Sequence, residues 1–101
     1  MYIDEIKQAN ARAGYYFFAP ATMRFFRSRV SSTIYQGVGG IYFITSEQFV
    51  DSNGVRASRR FTVRQFNPIT GMIKSVGDFN KLTYSMAQKT AKNLAKGLSD
   101  Q

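Results

Sequence analysis

Five residues, Asn67-Pro68-Ile69-Thr70-Gly71, limit what this chain can fold into more than any others. Pro68 presets the φ of a type I turn, and Gly71 can take the left-handed position from which the chain returns. Before the turn, Arg59-Arg60-Phe61-Thr62-Val63-Arg64-Gln65 alternates, with Phe61 and Val63 facing one way and Arg60, Thr62 and Arg64 the other. After it, Met72 to Val76 supplies the returning strand. The expectation is an antiparallel hairpin over 60–76. Phe61 and Val63 should be buried and Arg60 and Arg64 exposed, because a one-residue slip would bury two charges.

The other elements follow from periodicity. Residues 2–13 read as a helix, with Ile3, Ile6 and Ala9 (or Asn10) at helical spacing, acidic Asp4 and Glu5 in the first turn, Arg12 in the last and Gly14 as the stop. The aromatic run Tyr15-Tyr16-Phe17-Phe18, closed by Pro20, suits a buried strand or an extended plug against the sheet. Residues 22–30 fit a short helix begun by Thr22 or an irregular strand, since adjacent Phe25 and Phe26 match neither period. Gly37-Val38-Gly39-Gly40 marks a turn, Ile41-Tyr42-Phe43-Ile44-Thr45 a strand, and Asp51-Ser52-Asn53-Gly54 a loop. Residues 82–98 form a closing helix with Tyr84, Ala87, Ala91, Leu94, Ala95 and Leu98 on one face and Lys89, Lys92 and Lys96 on the other. The 101 residues make one α+β domain: an N-terminal helix, an antiparallel sheet of three or four strands, and a C-terminal helix packed across it.

The chain has neither Cys nor His. Disulfides, thiolate zinc sites, imidazole ligands and the usual general base are therefore ruled out. Its six carboxylates are Asp4, Glu5, Glu47, Asp51, Asp78 and Asp100, and none are spaced as a dyad or a metal cage. The glycine-rich turn lacks the Lys-Ser/Thr of a phosphate loop. The expectation is a binding protein and not an enzyme, with no cofactor and no metal. Met1 to Lys7 lack the basic start and apolar run of a signal peptide, and no apolar stretch reaches the roughly 18 residues of a membrane span. A cytoplasmic setting without membrane contact is expected.

Fourteen Lys and Arg against six acidic residues give a net charge of +8, a bias toward polyanions. Three basic sets carry it. Arg24, Arg27 and Arg29 interleave with Phe25 and Phe26. Either the arginines clamp phosphates while an aromatic stacks on a base, or the phenylalanines are core and the arginines flank them in solvent. Arg56, Arg59, Arg60 and Arg64 form the second set, in which a sheet face with Arg60, Thr62 and Arg64 would follow a phosphate backbone or stand as a solvated face. Lys89, Lys92 and Lys96 form the third, a lysine stripe along the wet side of the last helix.

Two resemblances bear on function. Pro20-Ala21-Thr22-Met23-Arg24-Phe25-Phe26-Arg27-Ser28-Arg29, followed by Tyr42-Phe43-Ile44-Thr45-Ser46-Glu47 and Phe61-Thr62-Val63-Arg64, resembles an uncharacterised family of small accessory proteins of tailed bacteriophages and mobile elements. That resemblance implies a bacterial host cytoplasm and no particular activity. The order helix, three strands, helix, with Ser85-Met86-Ala87-Gln88-Lys89-Thr90-Ala91-Lys92-Asn93-Leu94-Ala95 in the last helix, is similar to the double-stranded-RNA-binding domain, in which lysines there hold phosphates. Residues 15–39 have no place in that domain, and the lysines here are spread along the helix. The expected function is nucleic-acid binding, to DNA or RNA, through phosphates. The alternative is an inhibitor or adaptor docking on an acidic host protein of a defence or transcription complex.

Overall fold

The computed structural model describes residues 1–81 and 83–98, with residues 77–81 described through their backbone. The elements are α1 (Ile3–Arg12), α2 (Pro20–Phe25), β1 (Arg29–Val30), β2 (Tyr35–Gly37), β3 (Gly40–Glu47), β4 (Arg60–Phe66), β5 (Ile73–Lys81) and α3 (Tyr84–Ala95). The strands form one antiparallel sheet in the order β1-β3-β4-β5. The short strand β2 pairs with β3 over Ile41 and Tyr42, while β1 pairs with it over Thr45 and Ser46.

The hairpin forms as its turn chemistry dictates. Gly71 holds φ +77°, and its N–H donates to the Asn67 carbonyl at 2.8 Å. The Asn67 side chain accepts from the N–H groups of Ile69 and Thr70. The turn is also anchored from outside. Buried Asn10 of α1 donates from Nδ2 to the Gly71 carbonyl at 2.8 Å.

Both faces of the sheet are covered. On one, Tyr42 and Ile44 of β3 and Val63 of β4 pack under Ala87, Ala91 and Ala95 of α3. On the other, Ile41, Phe43 and Phe66 pack under Ile6 of α1 with half-buried Phe17 and Phe18. Phe17 and Phe18 meet Phe43 at ring-centroid distances of 6.3 and 6.0 Å, so this pair is the plug, while Tyr15 and Tyr16 stay exposed and no strand forms there. β3 is buried along both faces from Ile41 to Glu47, which explains why it carries no polar alternation.

This arrangement corrects the expected exposure of Arg60 and Arg64. The facing of the alternation stands, with Val63 fully buried, but Phe61, expected buried, is only half-buried against the α3-side cluster. The opposite face, however, is roofed by the N-terminal segment. Arg60 is half-buried there, and the Arg64 side chain is only 17 % exposed.

α3 starts at Thr83, whose Oγ1 accepts from the Met86 N–H at 3.2 Å. It ends at Ala95, short of the expected 98. Gly97 takes φ +85°, and Leu98 is exposed beyond the helix and not part of its apolar face. Leu94 and Tyr84 are half-buried and pack against the cluster beside the buried alanine stripe. Residue 82, expected as the helix start, lies outside the described residues. Among the described residues no helix is long and apolar enough to cross a membrane.

Candidate functional site

The end of β3 at Glu47 is where distant parts of the sequence meet. Helix α2 begins with Pro20 at its first position, where a missing N–H costs nothing. It closes in a Schellman motif: the Ser28 N–H donates to the Met23 carbonyl at 2.8 Å and the Arg27 N–H to the Arg24 carbonyl at 3.2 Å. The residue in the left-handed position is Arg27, at φ 50°, where glycine is the usual occupant. A side chain there costs about 1 kcal/mol, and strain of this kind concentrates at functional positions.

Arg59 fixes this turn to the sheet. Its Nη1 donates to the Arg27 carbonyl at 2.8 Å and to the carbonyl and hydroxyl oxygens of Ser46 at 3.1 and 3.0 Å. Burial lowers the Arg59 pKa from the ordinary arginine value. The positive charges of Arg29 and Arg27 lower it further, and Glu47 partly offsets them.

Arg24, Arg27, Arg29, Arg56 and Arg59 thereby line one open groove of about 420 Å³, with Met23, Ser28 and Gln48 between them. The first set and the Arg56 and Arg59 half of the second, distant in the sequence, thus share one site. Among the described residues, none of the five makes an ion pair. Asp51, the carboxylate nearest Arg56 in sequence, is turned into its own loop, where Oδ1 accepts from the N–H groups of Asn53 and Val55.

Arg60 and Arg64, the rest of the second set, belong to a neighbouring pocket of about 360 Å³. Its walls include Phe17, Met23, Phe26 and Phe49, and its floor Glu47, Thr62 and Arg64. Arg64 is committed there. It reaches Glu47 Oε1 at 3.4 Å, donates from Nε to Thr45 Oγ1 at 3.0 Å and from Nη1 to Ser75 Oγ, and lies 5.1 Å from the Phe17 ring centre. Burial pushes its pKa down, and Glu47 pulls it back. Glu47, its side chain 9 % exposed, also accepts from Thr62 Oγ1 at 3.0 Å and Ser28 Oγ at 3.4 Å. Arg64 is therefore a structural residue and not a surface phosphate ligand. Arg60 lines the pocket without a hydrogen bond or ion pair among the described residues.

Phe25 and Phe26 are not core. Phe25 is 80 % exposed and Phe26 39 %, because α2 is too short to bury a face and ends against the sheet margin. Lys89, Lys92 and Lys96 are exposed, as expected of the stripe, but none of them lines the arginine groove. Lys92 and Lys96 flank Gly37 and Val38 beside the start of β3, and the groove lies at its other end, about 23 Å away at 3.3 Å per residue.

Sequence reasoning passed over Glu47 and Phe49. The available signal was phase: Glu47 follows Ile41, Phe43 and Thr45 at steps of two, so it points to the same covered face.

Residues 2–94 match a family of unknown function, DUF7447, and the chain belongs to that family. No curated protein and no solved structure matches it.

Proposed function

We propose that this member of a family of unknown function binds nucleic acid through its phosphates, at the groove of Arg24, Arg27, Arg29, Arg56 and Arg59, and acts by binding without catalysis. One observation carries the reading: five guanidinium groups share a groove with no ion-paired carboxylate among the described residues. Such a cluster repels itself until an anion enters, and planar guanidinium forks match phosphate oxygens. Release of condensed counterions supplies the driving force. The resemblance to phage accessory proteins supports a bacterial host cytoplasm as the setting.

Arg59 is occupied by backbone acceptors, which leaves Arg24, Arg27, Arg29 and Arg56 for phosphates. With about four contacts to duplex DNA, log K should fall with log salt at a slope near −3.6. Arg24→Ala, Arg29→Ala and Arg56→Ala together should flatten that slope by about 2.7 and weaken unrelated sequences alike. Lys92→Ala with Lys96→Ala should leave it nearly unchanged. Fluorescence anisotropy at several salt concentrations measures both, and an equal loss from the lysine pair would place the interface on α3 instead.

Arg27→Gly provides an independent check. Relief of the left-handed backbone should stabilise the protein by about 1 kcal/mol, while one phosphate contact is lost. Denaturation and anisotropy on the same variant would show stability and affinity moving in opposite directions. A variant that gains stability and keeps full affinity removes Arg27 from the site.

The second reading, an adaptor on an acidic host protein, is favoured by Phe25, whose exposed ring beside Arg24 and Arg27 suits an interface anchor. A pull-down from host lysate with and without nuclease separates the two. A single stoichiometric partner surviving nuclease, with nucleic-acid affinity no better than that of any basic protein, selects the adaptor.

A further inference from the structure

The arginine groove and the aromatic pocket share two wall residues, Met23 and Ser28, so they are contiguous compartments of different chemistry. One is cationic and open. The other, at about 360 Å³, lies within the roughly 300–1,000 Å³ of small-molecule sites. Its walls are the faces and edges of Phe17, Phe26 and Phe49 with the Met23 side chain. Its floor is polar, with the Glu47 carboxylate, the Thr62 hydroxyl and the fixed guanidinium of Arg64, and Arg60 beside them is without a partner among the described residues.

We infer that the pocket receives an unpaired nucleobase whose flanking phosphates lie on the arginines, so that the protein prefers single-stranded to duplex nucleic acid. This rests on the nucleic-acid reading above and names the form of nucleic acid. The combination argues for a base. An apolar side chain of a protein partner would fill the aromatic walls but would desolvate Arg60, which has no partner of its own among the described residues. A base offers both an apolar face for stacking and an edge of donors and acceptors for Arg60, Thr62 and Glu47. A paired base cannot enter, because its edge and both its faces are engaged within the duplex. The groove next door supplies the charge complementarity that brings the strand to the pocket mouth.

The exposed rims of the pocket allow a test without unfolding the protein. Phe49 lies outside every helix and strand and is 56 % exposed, so Phe49→Ala leaves the core intact. The probes are a single-stranded oligonucleotide carrying one 2-aminopurine and the duplex of the same length, both at fixed salt. The single strand should bind at least about tenfold tighter, with quenching of the 2-aminopurine as it stacks. Phe49→Ala and, separately, Phe26→Ala should weaken single-strand binding about tenfold and leave duplex binding unchanged, because stacking on one aromatic is lost. Equal binding of strand and duplex, unaffected by either substitution, would overturn the pocket assignment and leave the phosphate groove standing. Failure of both probes to bind above a basic control protein would overturn the nucleic-acid reading and the pocket assignment with it.

Discussion

Glu47→Ala should destabilise the protein by about 3–5 kcal/mol, because it strands the Arg64 guanidinium in a covered site. The two side chains are 9 % and 17 % exposed and lie 3.4 Å apart. Arg64 would keep its bonds to Thr45 and Ser75, but these neutral hydroxyls cannot balance its charge. Thr62 and Ser28 would lose their acceptor at the same time. Burial already depresses the Arg64 pKa, and Glu47 is the group that counters it. A paired replacement, Glu47→Leu with Arg64→Met, should recover most of the loss, since a buried ion pair exchanged for apolar side chains of similar volume is often neutral. Urea denaturation of the wild type, both single variants and the pair closes the cycle. A cost below about 1 kcal/mol for Glu47→Ala would mean that water reaches the pair through the pocket and that it behaves as a surface bridge.

The elements that local rules govern were legible in the sequence. The Asn67–Gly71 turn follows from proline and glycine chemistry over five residues, and α1 and the alanine face of α3 follow from helical spacing. What depends on pairing between distant segments was not. The groove exists because the end of α2 and the approach to β4 both abut the end of β3, through the Gln48 N–H to the Phe26 carbonyl and the Arg59 bonds to Ser46. Nothing near Arg27 announces Arg59. The exposure of Arg64 was misjudged for a related reason. An amphipathic strand looks half-solvated when read alone, and the second cover comes from Ile6, Phe17 and Phe18, more than forty residues earlier. The unbroken apolar run of β3 carried that information, since a strand with one wet face alternates. Leu98 fits the helical spacing of α3, but Gly97 in the left-handed region ends the helix first.

Gly39→Ala should cost about 3 kcal/mol, at the upper end of overpacking, although it adds a single methyl group. The cause is the seating of α3 on the β2–β3 hairpin. The Gly39 N–H donates to the Ala95 carbonyl at 3.0 Å, which draws the last turn of the helix onto the turn of the hairpin. A Cβ at Gly39 would overlap the Leu94 carbonyl oxygen and sit 2.7 and 2.9 Å from the Gly97 N and Cα. All three obstacles are backbone, so no rotamer change relieves them. The last turn must lift, and the Gly39–Ala95 hydrogen bond goes with it. Gly54→Ala is the matched control. Gly54 sits at φ +80° with nothing within 4 Å of an added Cβ, so it should lose only about 1 kcal/mol of backbone strain. Thermal and chemical denaturation of the two variants compare close approach with dihedral strain directly, and equal losses would mean that the helix end yields easily. Because Gly39 stands at the start of β3 and the arginine groove at its end, the Gly39→Ala protein that remains folded should bind nucleic acid with unchanged salt slope. A change in that slope would show that the seating of α3 reaches the groove through β3.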